Sequence, residues 1–158
     1  MQWDKATDII LITAIAVLGV FASLGLYQWI VRKSLKKVDR SLLAMPLPLI
    51  LMAAVYFIFD KIWVLNTRPN GSGEASFPST HVMVVATIFL MTMLALPKYI
   101  KSKVLCGVLD LIMLALIALT AVGRVASNMH WISDVAGGLV FAIIFAGIYY
   151  LIKKEKHA

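Results

Sequence analysis

The sequence predicts an all-α fold, a polytopic transmembrane helix bundle of about five spans formed by one membrane-embedded domain over residues 1–158. Two observations carry this expectation. Hydrophobic residues make up 61% of the chain and charged residues only 15%, far from the balance of soluble globular proteins. The apolar residues are also gathered into nearly charge-free runs, each close to the roughly 20 residues that a spanning helix needs. With 158 residues the chain has room for five such runs joined by short loops. No internal repeat, low-complexity tract or flexible linker divides it.

The first run covers 9–31. Residues 1–8 form no basic leader, the run is longer than a typical signal-peptide core, and no small-x-small cleavage site precedes Arg32, so it reads as an anchor helix. The second run, 42–59, stops at Asp60 and Lys61. The third, 82–97, opens directly after "PSTH" at 78–81 and closes at Pro97 and Lys98. The fourth, 104–122, carries the single cysteine, Cys106, which excludes an internal disulfide and reads as inert core. It also carries Asp110, about 9 Å inside the span at 1.5 Å per residue. An intramembrane carboxylate is a functional-site candidate by default, but Asp110 lies toward the membrane face opposite the polar cluster described below, which favours a structural or interfacial role. The fifth run, 135–152, follows Asp134 and ends at Lys153.

Cations give the orientation, because cytoplasmic loops collect Lys and Arg. Arg32, Lys33, Lys36, Lys37 and Arg40 separate runs one and two; Lys98, Lys101 and Lys103 separate three and four; Lys153, Lys154 and Lys156 follow run five. Five spans with these eleven cations inside place the N-terminus outside and the C-terminus in the cytoplasm. The expected location is the cytoplasmic (inner) membrane of a prokaryotic cell, multi-pass, with the site described next facing the outside or periplasm. The net charge of +7 is then mostly topology, and because the cations hug the span ends, where anionic headgroups attract them, nucleic acid is not an expected partner.

Of the cations that topology leaves unexplained, Lys61, Arg68 and Arg124 fall on the other side with two histidines and a carboxylate. Lys61 and Arg68 lie in "DKIWVLNTRPNG", His81 opens run three, and Arg124, His130 and Asp134 lie in "GRVASNMHWISD". Each has a plain structural reading: snorkelling at a helix end for Lys61 and Arg124, a solvated loop charge for Arg68, helix capping for Ser79, Thr80 and His81. His130 and Asp134 at i, i+4 on one helical face could be a local hydrogen bond. Together they describe more. Cations around a helix N-terminus bind a multiply charged anion, above all phosphate, and two imidazoles add a nucleophile and a proton donor. A carboxylate can orient one imidazole. "PSTH" would thus bring backbone donors and His81 to the membrane surface, where the phosphate of a lipid lies.

In these residues the chain resembles the type 2 phosphatidic acid phosphatase superfamily, whose three-part signature is Lys-x6-Arg-Pro, Pro-Ser-Gly-His and Ser-Arg-x5-His-x3-Asp. Lys61, Arg68 and Pro69 match the first part, Pro78, Ser79 and His81 the second, and Arg124, His130 and Asp134 the third, so the signature covers residues 61–134. Thr80 and Gly123 stand where the pattern has glycine and serine. A β-branched residue at 80 is stiffer than glycine and narrows the approach to phosphate. Gly123 removes a hydroxyl worth about 0.5–1.5 kcal/mol as one hydrogen bond.

The resemblance implies a metal-independent phosphatase acting on a membrane lipid phosphate or diphosphate in the bilayer. His130 would form a phosphohistidine, Asp134 would orient it, and His81 would protonate the leaving group. Lys61, Arg68, Ser79, Thr80 and Arg124 would bind the phosphoryl oxygens. No metal and no other cofactor is implied, and the sequence offers only Glu74 and Asp134 as carboxylates near the site, too few for an all-protein magnesium or calcium cage. Undecaprenyl diphosphate is the first expected substrate, with phosphatidylglycerol phosphate, phosphatidic acid and lipid A phosphates presenting phosphate at the same depth. Two other readings share the residues: a lipid phosphotransferase using the same phosphohistidine, and a non-catalytic protein binding anionic lipid. Oligomeric state is not legible in the sequence.

Overall fold

In the computed structural model the described residues are 2–154, and they form helices joined by short connections except for the longer segment 63–79. They run α1 (Gln2–Arg32), α2 (Arg40–Leu43), α3 (Pro46–Phe57), α4 (Thr80–Tyr99), α5 (Lys103–Ala126) and α6 (Ile132–Lys153). A single π-helical stretch, Ile58–Ile62, continues α3. Five helical spans are long and apolar enough to cross a membrane, Arg40–Ile62 counting as one. Each extends a few residues beyond its charge-free run, because polar helix ends continue past the hydrocarbon. The largest extension is at α1, which begins seven residues before the run at 9–31 and so includes Asp4 and Asp8. Lys156, counted above among the terminal cations, lies outside the described residues.

Helix α4 is the axis of the bundle. More than half of its apolar window is buried, against a third or less in the other spans, and it packs against α1, α5 and α6. Val82, Met83, Val85, Ala86, Ile88 and Phe89 are almost fully enclosed. The other helices bury a stripe toward α4 and leave the rest to lipid, as in α1, where Thr7, Ile10, Ala14, Phe21 and Gln28 follow the heptad-like spacing of one face. Because lipid tails are as apolar as the core, exposed Ile, Leu and Val on the outer faces need no further account.

The end of the bundle that carries the cation-rich connections is pinned by Asp39. Its carboxylate accepts from Gln28 Nε2 at 2.9 Å while its own N–H donates to Gln28 Oε1 at 2.9 Å, and it pairs with Arg32 at 3.4 Å and Lys98 at 3.6 Å. Asp110 lies half-buried in α5, and its buried Oδ1 has no hydrogen-bond partner among the described residues.

Candidate active site

At the opposite end of the bundle, the N-terminus of α4, the turn between α5 and α6 and the 63–79 segment enclose a cavity of about 240 Å³. Arg68, Ser76, Thr80, His81, Arg124 and His130 line it. The 63–79 segment is a strap folded back on itself. Gly71 and Gly73 adopt φ of 77° and 73°, conformations that glycine reaches without strain. Across the reversal Arg68 N–H donates to Glu74 O at 3.0 Å and Ser76 N–H to Asn66 O at 2.9 Å. The strap lies tightly on α6. A Cβ on Gly137 would meet the Phe77 ring at 2.3 Å, and one on Gly138 would meet the Ser79 carbonyl oxygen at 2.9 Å. This glycine pair sets the distance between "PSTH" and Asp134.

Asp134 is completely buried and fully bonded. Oδ1 accepts from Asn66 Nδ2 at 3.0 Å, and Oδ2 accepts from the Trp131 N–H at 2.8 Å and from Ser76 Oγ. Its main-chain oxygen accepts from Ser79 N–H at 3.0 Å. It therefore ties the strap, the start of α6 and the start of α4 into one unit.

His130 lies in the turn ahead of α6, which begins at Ile132 with Trp131 as its cap. The helical i, i+4 face expected for His130 and Asp134 is therefore replaced by a cap arrangement. His130 Nδ1 is 2.9 Å from the Ser76 carbonyl oxygen and 3.3 Å from Ser76 Oγ, and 3.8 Å from Asp134 Oδ2. A carbonyl can only accept, so Nδ1 carries the proton and Nε2 keeps its lone pair. Burial, reinforced by the Arg124 guanidinium, pushes the His130 pKa down to about 4, against the opposing pull of the Ser76 carbonyl and Asp134. The ring is neutral at physiological pH and has its tautomer fixed by Ser76, with Asp134 acting on it through Ser76 and through its charge.

The cations are less free than the sequence implies, since each has a carboxylate. Lys61 pairs with Asp60 at 2.7 Å, Arg68 with Glu74 at 2.8 Å and Arg124 with Asp4 at 3.8 Å, while His81 Nε2 meets Asp8 at 2.9 Å. Lys61 sits in the π-helical stretch with its side chain 64% exposed; Asp60 beside it lines the cavity and Lys61 does not. Arg68 and Arg124 do line it, and each keeps a buried Nε with no hydrogen-bond partner among the described residues. Ser79 Oγ, fully enclosed at the start of α4, likewise has no partner among the described residues. Two of these buried, unmade donors belong to residues that line the cavity and the third to the residue between Pro78 and Thr80, which line it too; such a set calls for a ligand rich in acceptors.

The positions that depart from the signature have local explanations. Thr80 is the first residue of α4, and its backbone is not among those with positive φ, so a glycine is not needed there for conformational reasons. A Cβ on Gly123 would come within 2.7 Å of Thr7 Cγ2 and 3.3 Å of the Trp3 ring. Gly123 is the seat of α1, and the space a serine would fill belongs to that helix.

Ser76, Asn66, Asp60, Asp4 and Asp8 are the site residues that the sequence reading passes over. Asp4 and Asp8 at i, i+4 on the polar end of an apolar run were the available signal; Ser76 and Asn66 lie in irregular backbone with none. The count of only Glu74 and Asp134 as nearby carboxylates is corrected by Asp60, Asp4 and Asp8.

The PAP2 superfamily family model matches residues 61–158. Among solved structures the chain is similar to the crystal structure of a transmembrane PAP2 type phosphatidylglycerolphosphate phosphatase from Bacillus subtilis. Identity is 17%, the TM-score is 0.73, and the match covers 98% of this chain and 79% of that one. At this identity what is shared is the fold. A search of curated proteins finds no match.

Proposed function

The chain belongs to the PAP2 superfamily, and from that premise we propose that it is an integral membrane lipid phosphatase working through a phosphohistidine. The observation that carries the reading is the pair of cavity-lining guanidiniums, Arg68 and Arg124, each with a buried Nε unpartnered among the described residues, beside a neutral His130 whose Nδ1 is taken by Ser76 and whose Nε2 keeps its lone pair. A phosphoryl group fits such a set, because its oxygens accept several charge-assisted hydrogen bonds at once.

Phosphate enters with its oxygens toward the two guanidiniums, Ser79 Oγ and the N-terminal amides of α4, which point free N–H groups at the cavity end. His130 Nε2 attacks phosphorus and His81 gives a proton to the departing oxygen. Water, losing a proton to the now neutral His81, then attacks the phosphohistidine and returns the lone pair to His130. Asp134 offsets the positive charge that His130 gains. Lys61 serves from the rim, as a cation that a large headgroup meets first. The guanidiniums supply the charge stabilisation that a metal ion gives elsewhere, and activity is expected to persist in EDTA.

Leu11, Tyr56 and Phe77 also line the cavity, so an apolar chain can leave it toward the bilayer. Undecaprenyl diphosphate is the first candidate substrate and phosphatidylglycerol phosphate the second, the latter supported by the activity in the name of the Bacillus subtilis protein. The test is phosphate release by purified protein from a panel of these lipids and phosphatidic acid. Release from none of them by the wild type would remove the reading, and the ranking of rates names the substrate class.

Ser79→Ala is expected to raise KM and lower kcat/KM by about tenfold, the loss of about 1.5 kcal/mol of hydrogen bonding to a charged group. Because Ser79 Oγ has no hydrogen-bond partner among the described residues, melting temperature should not fall. A drop in stability with unchanged KM would assign the hydroxyl a structural role instead.

The His130 ring should stay neutral until pH falls to about 4, since burial and Arg124 oppose its protonation. Imidazole ¹⁵N shifts, assigned by comparison with His130→Asn, should report a protonated Nδ1 and no titration near the ordinary value of about 6.5. Titration there would mean a solvated ring.

The site is proposed to face the outside or periplasm of a cytoplasmic membrane, from the cation bias of the opposite end. Ser72→Cys, in the exposed bend of the strap and in a Cys106→Ala background, should be labelled by impermeant thiol reagents on intact cells. Labelling only after lysis would invert the topology.

A further inference from the structure

We propose that Asp8, on the N-terminal helix, is a positioning residue for His81, so that α1 is part of the catalytic apparatus as well as an anchor. The inference rests on the phosphatase reading and concerns a helix outside the segment that the family model matches.

Three observations support it. Asp8 Oδ1 is 2.9 Å from His81 Nε2, so the ring is held by its far nitrogen and Nδ1 is the nitrogen left to face the phosphoryl group. An imidazole held by a carboxylate on one nitrogen and working with the other is the general arrangement by which an acid or base keeps its orientation and tautomer. The bond is also not a chance surface contact, although Asp8 is 56% exposed. Thr7 beside it is completely buried, its hydroxyl donating to Asp4 O at 3.0 Å. Its methyl occupies the space over Gly123, where any side chain would collide with it at 2.7 Å. The same seating brings Asp4 to 3.8 Å from Arg124. The glycine that departs from the signature is thus what admits the helix that carries Asp8.

In the first step the bond from His130 Nε2 to phosphorus forms, the bond from phosphorus to the leaving oxygen breaks, and the Nδ1 proton of His81 moves to that oxygen. His81 is left neutral, with its Nε2–H on Asp8. In the second step Nδ1 takes a proton from the attacking water as the phosphorus–nitrogen bond breaks. Asp8 moves no proton; it holds the ring and balances the charge of its protonated form.

The consequence is a dependence on the leaving group. An alkoxide needs a proton to depart and a nitrophenolate does not, so the contribution of a well-held acid, within the about 10²–10⁴ of general acid catalysis, appears only with the former. The experiment compares wild type, Asp8→Asn and Asp8→Glu on a lipid phosphomonoester and on p-nitrophenyl phosphate, with inhibition by vanadate as a check on the anion site. Asp8→Asn should lose at least tenfold more kcat on the lipid ester than on the aryl ester, with KM and vanadate inhibition little changed, and Asp8→Glu should recover part of the loss. Equal losses on the two substrates, or none, would overturn the role of Asp8 while leaving the phosphatase intact. A wild type inactive on both would remove the function and this inference together.

Discussion

Replacing His130 by alanine is expected to lower phosphate release by about 10⁴-fold or more, because the proposed nucleophile is removed and residual catalysis would rest on the anion site alone. Alanine also leaves the Ser76 carbonyl, buried and bonded to Nδ1 at 2.9 Å, without its donor, at about 1–3 kcal/mol. His130→Asn separates these effects. Its amide can donate to the same carbonyl yet offers nothing in place of Nε2, so it should melt close to wild type and still be inactive. With a ³²P-labelled lipid phosphate, rapidly quenched wild type should carry label that is stable to base and labile to acid, as a phosphorus–nitrogen bond is, and both variants should carry none. Retained turnover in His130→Asn would overturn the phosphohistidine and leave direct attack by water.

Asp134→Ala is expected to carry the largest stability cost of any single site substitution, about 3–5 kcal/mol. It strands Asn66 Nδ2, Ser76 Oγ and the Trp131 N–H together, in a place with no exposed surface. Asp134→Asn is the informative partner. An amide oxygen can still accept from Ser76 and Trp131, and Asn66 can turn its own amide to meet the new NH₂, so much of the fold should be recovered. What is lost is a full negative charge 3.8 Å from His130 Nδ1, worth on the order of 4 kcal/mol at an effective dielectric of about 20. That corresponds to about 10³ in rate if it acts mainly on the charge developing in the transition state. Activity falling with intact melting would separate the electrostatic role of Asp134 from its structural one; activity tracking stability across the two variants would show that it only builds the site.

The chemistry that the sequence places together and the geometry that the structure finds are related unevenly. His81, Arg68, Arg124 and His130 reach one cavity, as their positions at span ends suggest, since only a few helix ends occupy each face of a small bundle. Lys61 does not line it. Seven residues of spacing to Arg68 fix neither the π-helical stretch at Ile58–Ile62 nor the pairing with Asp60 that turns the side chain outward. Asp134 meets His130 less directly than a triad pattern suggests, because His130 precedes the helix and Ser76 stands between them. Ser76 and Asn66 were invisible for a general reason: their roles come from irregular backbone, where no periodicity marks which side chain turns inward.

The class of molecule, and the count and approximate limits of its spans, are legible in the order of residues. Hydrocarbon imposes a length and a purity on any segment that crosses it, and both can be read from composition alone. The functional groups available at one face are legible there too. How those groups are held follows from packing in three dimensions. Glycines at 123, 137 and 138 set helix and strap separations to within a side chain's width, and those separations bring Asp8 to His81, Ser76 to His130 and Asn66 to Asp134. Such contacts join residues from 54 to 73 positions apart. They depend on packing distances that no local pattern encodes.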